Sequence, residues 1–255
     1  MAGVNLKNRV KAGTIHLCLS ACMGALAAWL VFGLWYPGAY RMMSGGQALF
    51  IIIVSVDLIL GPVLTFVVFN LDKPRYLLRR DLIVIGVLQL SGLAYGLHTV
   101  FLVRPVVLAF EDVRFRVVTD LDVRHEELSL AAPDFRSLSL TGPRVLGIRE
   151  PVNSAEKNNA LDLAFKGYDM GTRPSFWQQY RYSVKNVLAH ARSLGEFYGR
   201  YPQSREKIKE VVTKAGRAEA ELKFLPLIAK EPNWSVLVDA TSGEVVGFVP
   251  FDGFF

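Results

Sequence analysis

Cysteine is scarce in this chain: Cys18 and Cys22 are the only two, one helical turn apart in an apolar run. That spacing excludes a disulfide framework, because two cysteines on one helix face cannot bridge each other. Two soft ligands alone also make a poor metal site, so both read as small packing residues. Residues 105–255 contain no cysteine and must fold on a hydrophobic core alone. Histidine is equally sparse: His16, His98, His125 and His190 lie apart, with no H-x-x-x-H pair and no His/Cys ligand spacing. A G-x-S-x-G elbow, a phosphate-binding P-loop and a dinucleotide fingerprint are all missing. No enzyme, metal or cofactor is therefore expected. Acidic residues are short in the first 104 residues, where nine Lys/Arg face three Asp/Glu; the remainder carries twenty of each. The net charge of +6 thus belongs to the first part, and the neutral second part offers no basic surface for nucleic acid.

What the first part does hold is three long apolar runs, roughly 14–36, 47–69 and 82–103. Each meets the approximately 20 residues that cross a bilayer as a helix. Asp57 is the one charge inside them, whereas a buried soluble helix of such length would show a polar face. Three transmembrane helices are predicted, with the lipid bilayer as their solvent. Leu19-Ser20-Ala21-Cys22 has the form of a lipoprotein cleavage box, but the apolar run continues to Trp35, so the span is expected to be retained. Lys7, Arg9 and Lys11 precede the first run and Lys73, Arg75, Arg79 and Arg80 fill the second loop; the first loop has only Arg41. Positive charge is retained on the cytoplasmic side, which predicts a cytoplasmic N-terminus and an exported part from residue 105 onward, periplasmic in a Gram-negative cell. The domain division is then a membrane domain at 1–104 and an exported domain at 105–255. Arg104, at the exit of the third run, can snorkel into the interface.

Polar residues inside the membrane are costly unless paired or hydrated, so each is a candidate for function. Asp57 lies near the middle of the second run, and Gly61-Pro62 follows one turn later, where proline removes a backbone donor. Ser91, Tyr95 and His98 form a stripe at i, i+4 and i+7 on the third run, with Gln89 about a turn deeper. Two readings stand open: a binding or proton-handling site centred on Asp57, or a protonated aspartate hydrogen-bonded to that stripe for packing. Gly92 and Gly96 make a G-x-x-x-G pair that lets a helix approach closely, either the Ala21, Ala25, Ala28 strip of the first run or a helix of another protein.

The exported part reads as α+β with an antiparallel sheet. Strands are predicted at Pro105-Val106-Val107-Leu108-Ala109-Phe110 and Val113-Arg114-Phe115-Arg116-Val117. Helices are predicted over 153–165, 175–194 and 204–214, the last opened by Ser204, and a strand over 223–229. Trp234 to Asp239 and Glu244 to Val249 form a hairpin through Asp239-Ala240-Thr241-Ser242-Gly243. Glu126-Glu127 reads as a solvated face, and Phe176, Trp177, Tyr180 and Tyr182 as the core and rim of a helix.

The stretch Asp57-Leu58-Ile59-Leu60-Gly61-Pro62-Val63-Leu64-Thr65 resembles the type IV pilin accessory proteins of the TfpX/TfpZ kind. So do Lys73-Pro74, Asp81-Leu82, Gln89-Leu90 through Tyr95-Gly96 and Arg104-Pro105-Val106 in order and spacing. Phe224-Leu225-Pro226-Leu227, Asp239 and Ser242-Gly243-Glu244 are similar to the family's ending, so the likeness reaches both halves. The resemblance implies an inner-membrane accessory factor or chaperone for a cognate major pilin, whose apolar N-terminal helix bears a carboxylate. Combined with the polar stripe and the G-x-x-x-G face, it gives the hypothesis that Asp57, Gly61, Pro62, Gln89, Ser91, Gly92, Tyr95, Gly96, His98 and Arg104 face that partner, while the exported domain contacts the pilin head. A membrane-tethered sensor or regulator is the alternative from another class, although its cytoplasmic parts are short for an output domain. A small transporter or membrane enzyme using Asp57 would need a polar cavity that three helices alone scarcely enclose.

Overall fold

The computed structural model describes residues 2–255, with side chains from Leu6 onward. It divides into two compact units, Met1–Pro37 with Gly46–Leu102, and Gly38–Gly45 with Val103–Phe255. The loop between the first two spans therefore counts with the C-terminal domain.

The first unit is all helix. α1 (Ala2–Leu30) runs into a π-helical turn, Val31–Trp35. After the one-turn α2 (Tyr40–Met43) of the other unit come α3 (Gly46–Val68) and α4 (Arg75–Leu102). Among the described residues three helices are long and apolar enough to cross a membrane, Leu6–Trp35, Gly46–Val68 and Arg75–Leu102, and few of their residues are buried within the structure. In lipid a chain has no water to satisfy its backbone, so these apolar runs fold as helices that bond internally. α3 continues through Pro62 without a break. The small core of the unit gathers Ala27, Val31, Tyr36, Phe50 and Val100. Tyr36 Oη donates to the Val100 carbonyl at 2.8 Å, and its ring lies so close to Gly46 that a Cβ there would overlap it.

The second unit is an α+β domain on one eight-stranded sheet, in the order β4-β3-β1-β2-β6-β7-β8, with β5 paired to β6. The strands are β1 (Pro105–Glu111), β2 (Arg114–Thr119), β3 (Arg144–Ile148), β4 (Trp177–Gln179), β5 (Arg192–Ser193), β6 (Leu222–Ile228), β7 (Trp234–Asp239) and β8 (Val245–Val249). The sheet is mixed rather than wholly antiparallel, since β1 pairs β3 and β2 pairs β6 in parallel. All seven residues of β1 are buried. Leu108 and Phe110 enter one core cluster, Val107 and Ala109 another, which is why its sequence is a continuous apolar run instead of an alternation. Met43, from the loop between the first spans, completes the first of these clusters.

The helices are α5 (Ser154–Ala164), α6 (Val184–His190), α7 (Leu194–Arg200) and α8 (Arg205–Ala215). Asn153 caps α5 by accepting from the Glu156 amide. The helix expected over 175–194 is not formed. That segment is instead a 3-10 turn at Pro174–Phe176, β4, a second 3-10 turn at Tyr180–Tyr182, then α6 and β5. Tertiary contacts decide it: β4 pairs β3, Trp177 Nε1 donates to the Gly171 carbonyl at 2.8 Å, and Tyr180 Oη donates to the Gly243 carbonyl at 2.6 Å. Ser204 precedes α8 as expected, but its hydroxyl turns back to the Tyr201 carbonyl at 2.7 Å instead of capping. Gly216, at φ 64, closes α8 in the left-handed conformation that glycine takes without strain.

Candidate functional site

The membrane unit is built on α3, which packs along both α1 and α4, while α1 and α4 share few contacts with each other. The space left between them is an open groove of about 640 Å³ with α3 as its floor. Leu19 and Met23 of α1 and Leu90 and Leu93 of α4 give it apolar walls; Val54, Asp57 and Thr65 lie on the floor, and Lys11 marks one end.

A hydrogen-bonded chain crosses the groove. Gln89 Nε2 donates to the Asp57 carbonyl at 3.0 Å, which leaves Gln89 Oε1 as an acceptor. His16 Nε2 must then donate to Gln89 Oε1, and His16 Nδ1 accepts from Thr65 Oγ1 at 2.6 Å. One imidazole tautomer satisfies every member, so the direction runs from the Thr65 hydroxyl to the Asp57 carbonyl. Gly61 makes this possible, because a Cβ at that position would occupy the space of the Gln89 amide. The Asp57 carboxyl stands apart: it lines the groove, and among the described residues it has no hydrogen-bond or ion-pair partner.

Of the candidates read from sequence, Asp57, Gly61 and Gln89 come together here. Pro62 sits at a close approach of α1, its carbonyl 3.4 Å from where a Cβ on Gly13 would stand. The stripe of Ser91, Tyr95 and His98 does not meet Asp57, as all three are exposed and Tyr95 is 75% accessible. Helical phase explains the miss. The inward face of α4 carries Leu93, Gly96 and Val100, and residues two positions away point roughly 200° around the helix. The G-x-x-x-G pair is likewise split: a Cβ on Gly96 would lie 2.6 Å from Ile53 Cγ2, whereas Gly92 faces open space. On α1 the close approaches fall at Gly13 and Gly24, and Ala21 and Ala25 are exposed.

Arg104 does not snorkel. It is buried in the second unit, donating from Nη1 to Asp120 Oδ2 at 2.5 Å and from Nε to the Ser139 carbonyl at 3.3 Å. His16 and Thr65 were absent from the candidate set, yet Asp57, Gly61 and Thr65 lie at i, i+4 and i+8, a polar and small-residue face that the spacing alone could have exposed.

The α+β domain carries ion pairs that hold its fold. Glu127 is buried, contrary to its reading as a solvated residue, because Arg173 Nε donates to it at 2.9 Å and the Ser175 hydroxyl also bonds to it. Hydrogen bonds from Arg149 hold the Glu156 carboxyl down at a pKa of about 2. The Ser242 and Thr241 amides hold Asp239 below the ordinary carboxylate range as it closes the β7–β8 turn. Among the described residues no group of three or more His, Cys, Asp or Glu could hold a metal ion.

Set beside known proteins, the chain is 32% identical over 231 residues to a fimbrial assembly protein, serogroup I, of Dichelobacter nodosus, covering 90% of each chain. The chain belongs to the fimbrial assembly protein family. A second member, of serogroup E1 from the same organism, is 31% identical over 90% of each chain. A third, of serogroups C1 and C2, is 36% identical over 121 residues, 48% of this chain and 92% of that relative. The family model for the fimbrial assembly protein FimB matches residues 4–45, which hold the first span and the loop after it. These matches agree with the resemblance to type IV pilus accessory proteins drawn from the membrane stretch. No solved structure matches the chain.

Proposed function

We propose that this fimbrial assembly family member is an inner-membrane accessory factor in type IV pilus biogenesis, and that it keeps a cognate pilin stable and competent before the subunit enters the fibre. The observation that carries this reading is the open, polar-floored groove in the membrane unit. Its features suit holding another membrane segment rather than catalysis, and the relatives are fimbrial assembly proteins. The basic N-terminus and second loop support a cytoplasmic start and a periplasmic α+β domain. Packing of Met43 into that domain's core fits this topology, because three crossings leave the loop 38–45 and residues 103–255 on one side. The protein acts by binding, and its α+β domain serves the exported part of the pilin.

Deletion of the gene, with complementation by the full chain, tests the role. Pilin level and surface fimbriation should fall together on deletion and return together, and the pilin should co-purify with the chain from native membranes. Unchanged pilin level and fimbriation after deletion would refute it.

A further inference from the structure

We infer that the groove between α1 and α4 is the seat of a single apolar membrane helix from the client fimbrial subunit, and that this helix places a hydrogen-bond donor against the Asp57 carboxyl. The inference deepens the proposed function and rests on it. Three observations within the membrane unit lead there.

First, the groove is open because α1 and α4 diverge around α3, and its walls are leucine and methionine side chains, the surface a further helix packs against. Second, the polar groups beneath it are already matched to one another: Thr65, His16, Gln89 and the Asp57 backbone carbonyl form a closed donor-acceptor chain. The Asp57 carboxyl stands outside that chain, without a hydrogen-bond or ion-pair partner among the described residues. A carboxyl in apolar surroundings needs a hydrogen-bond partner, and if ionised a cation. An acyl chain fills volume but supplies no donor; a helix carrying an amine, hydroxyl or amide at that depth supplies both.

Third, the charge along the groove sets polarity. Gly24 meets Val54 and Gly13 meets Pro62, so Asp57 lies at the level of about Ser20 on α1. Nine residues of helix, about 14 Å, then separate it from Lys11 at the groove's end. An occupant with an acidic or acceptor group near Lys11 and its donor deeper in the membrane meets both. A second copy of this chain would instead bring another basic N-terminal segment to Lys11, which like charge disfavours.

The test is site-specific photo-crosslinking in native membranes from the full chain expressed with its cognate pilin. The crosslinker is placed at Met23 or Leu90 in the groove, and at Ile59 or Val84 as exposed positions outside it. Adducts with pilin from the first pair and not from the second are expected. Asp57→Leu should cut the adduct roughly three- to thirtyfold, the range for one hydrogen bond between membrane helices, while Asp57→Asn, which keeps an acceptor oxygen, should retain most of it. Immunoblots of each variant separate loss of contact from loss of protein. If pilin co-purifies but crosslinks from Ile59 or Val84, or if the groove yields only lipid or a second copy of the chain, the inference is overturned and the proposed function stands. If pilin does not co-purify with the intact chain, both fall. An Asp57→Leu adduct equal to that of the intact chain overturns the assignment of the donor.

Discussion

Replacing Asp120 by alanine should destabilise the α+β domain severely, and the size of the effect discriminates between two places for Arg104. The side chains of Arg104 and Asp120 are only 4% and 10% exposed, with 2.5 Å between Nη1 and Oδ2, and His125 Nε2 lies 2.9 Å from the other carboxylate oxygen. Asp120→Ala removes the carboxylate from this buried pair, while the bond from Arg104 Nε to the Ser139 carbonyl stays in place. Removing one member of a buried pair costs about 3–5 kcal/mol, a large share of the roughly 5–15 kcal/mol that holds a domain together. For a domain of this size that corresponds to a fall in Tm of about 6–20 °C. The double replacement Arg104→Met, Asp120→Leu should recover much of the loss, since it removes both charges of the buried pair together. The assay is thermal unfolding of the full chain in nanodiscs, followed by near-UV circular dichroism. An interfacial, snorkelling Arg104 would make the pair an exposed one worth about 0–1 kcal/mol. A Tm within about 2 °C of the parent for Asp120→Ala would therefore refute burial of the pair.

Gly96→Leu should destabilise the membrane unit by about 1–3 kcal/mol of overpacking against Ile53, while Gly92→Leu, in open space, should leave it unchanged; equal melting of the two variants in detergent would contradict this. Gly61→Val should displace the Gln89 amide and break its bond to the Asp57 carbonyl, lowering accumulation of the protein in membranes as read by immunoblot. Glu156 has its pKa lowered from 4.5 to about 2, so its contribution to stability is complete above about pH 4.5 and is lost as pH falls toward 2. Protection of the Val152 amide relative to its intrinsic exchange rate, supplied by its N–H donating to Glu156 at 2.7 Å, should fall through that window, and Glu156→Gln should abolish the pH dependence. Gly243→Ala should loosen the β7–β8 turn, because φ 69 suits glycine and Val184 Cγ1 lies 3.2 Å from the added methyl; an unchanged Tm would argue against the turn geometry.

Length and apolarity made the three spans legible, since lipid leaves a long uncharged segment little choice but helix. β1, β2, β6 and the β7–β8 hairpin were legible for a comparable reason. Their burial patterns follow strand rules, and Asp239 and Gly243 fix the turn by chemistry local to it. The segment 175–194 was not legible, because Phe176, Tyr180 and Val187 stand at helical spacing while the contacts that consume them belong to the Arg149 and Arg173 guanidinium groups, to Gly243 and to the sheet core. β3 escaped notice because Arg144 and Val145 are exposed, so its short pattern lacks alternation.

In the membrane, Asp57, Gly61 and Gln89 were found because polarity and proline mark them in an apolar run. Of the two readings of Asp57, the packing one, a hydrogen bond to the stripe, is not formed, because a polar stripe says which residues share a face and only packing says which way that face turns. Leu93, Gly96 and Val100 set the phase of α4 and sent Ser91, Tyr95 and His98 outward. His16 entered the site through the close approach of α1 at Gly13 and Gly24, a contact between segments far apart in sequence.

The most direct test of the groove as a pilin seat is the oxygen accessibility of a nitroxide at Leu90, measured by electron paramagnetic resonance with Cys18 and Cys22 replaced by alanine and Val84 as the reference position. In vesicles holding the chain alone, both positions should be lipid-accessible. On co-reconstitution with the cognate pilin, accessibility at Leu90 should fall severalfold while Val84 stays unchanged. Equal accessibility at Leu90 with and without pilin, in vesicles where the two proteins co-purify, would contradict the account.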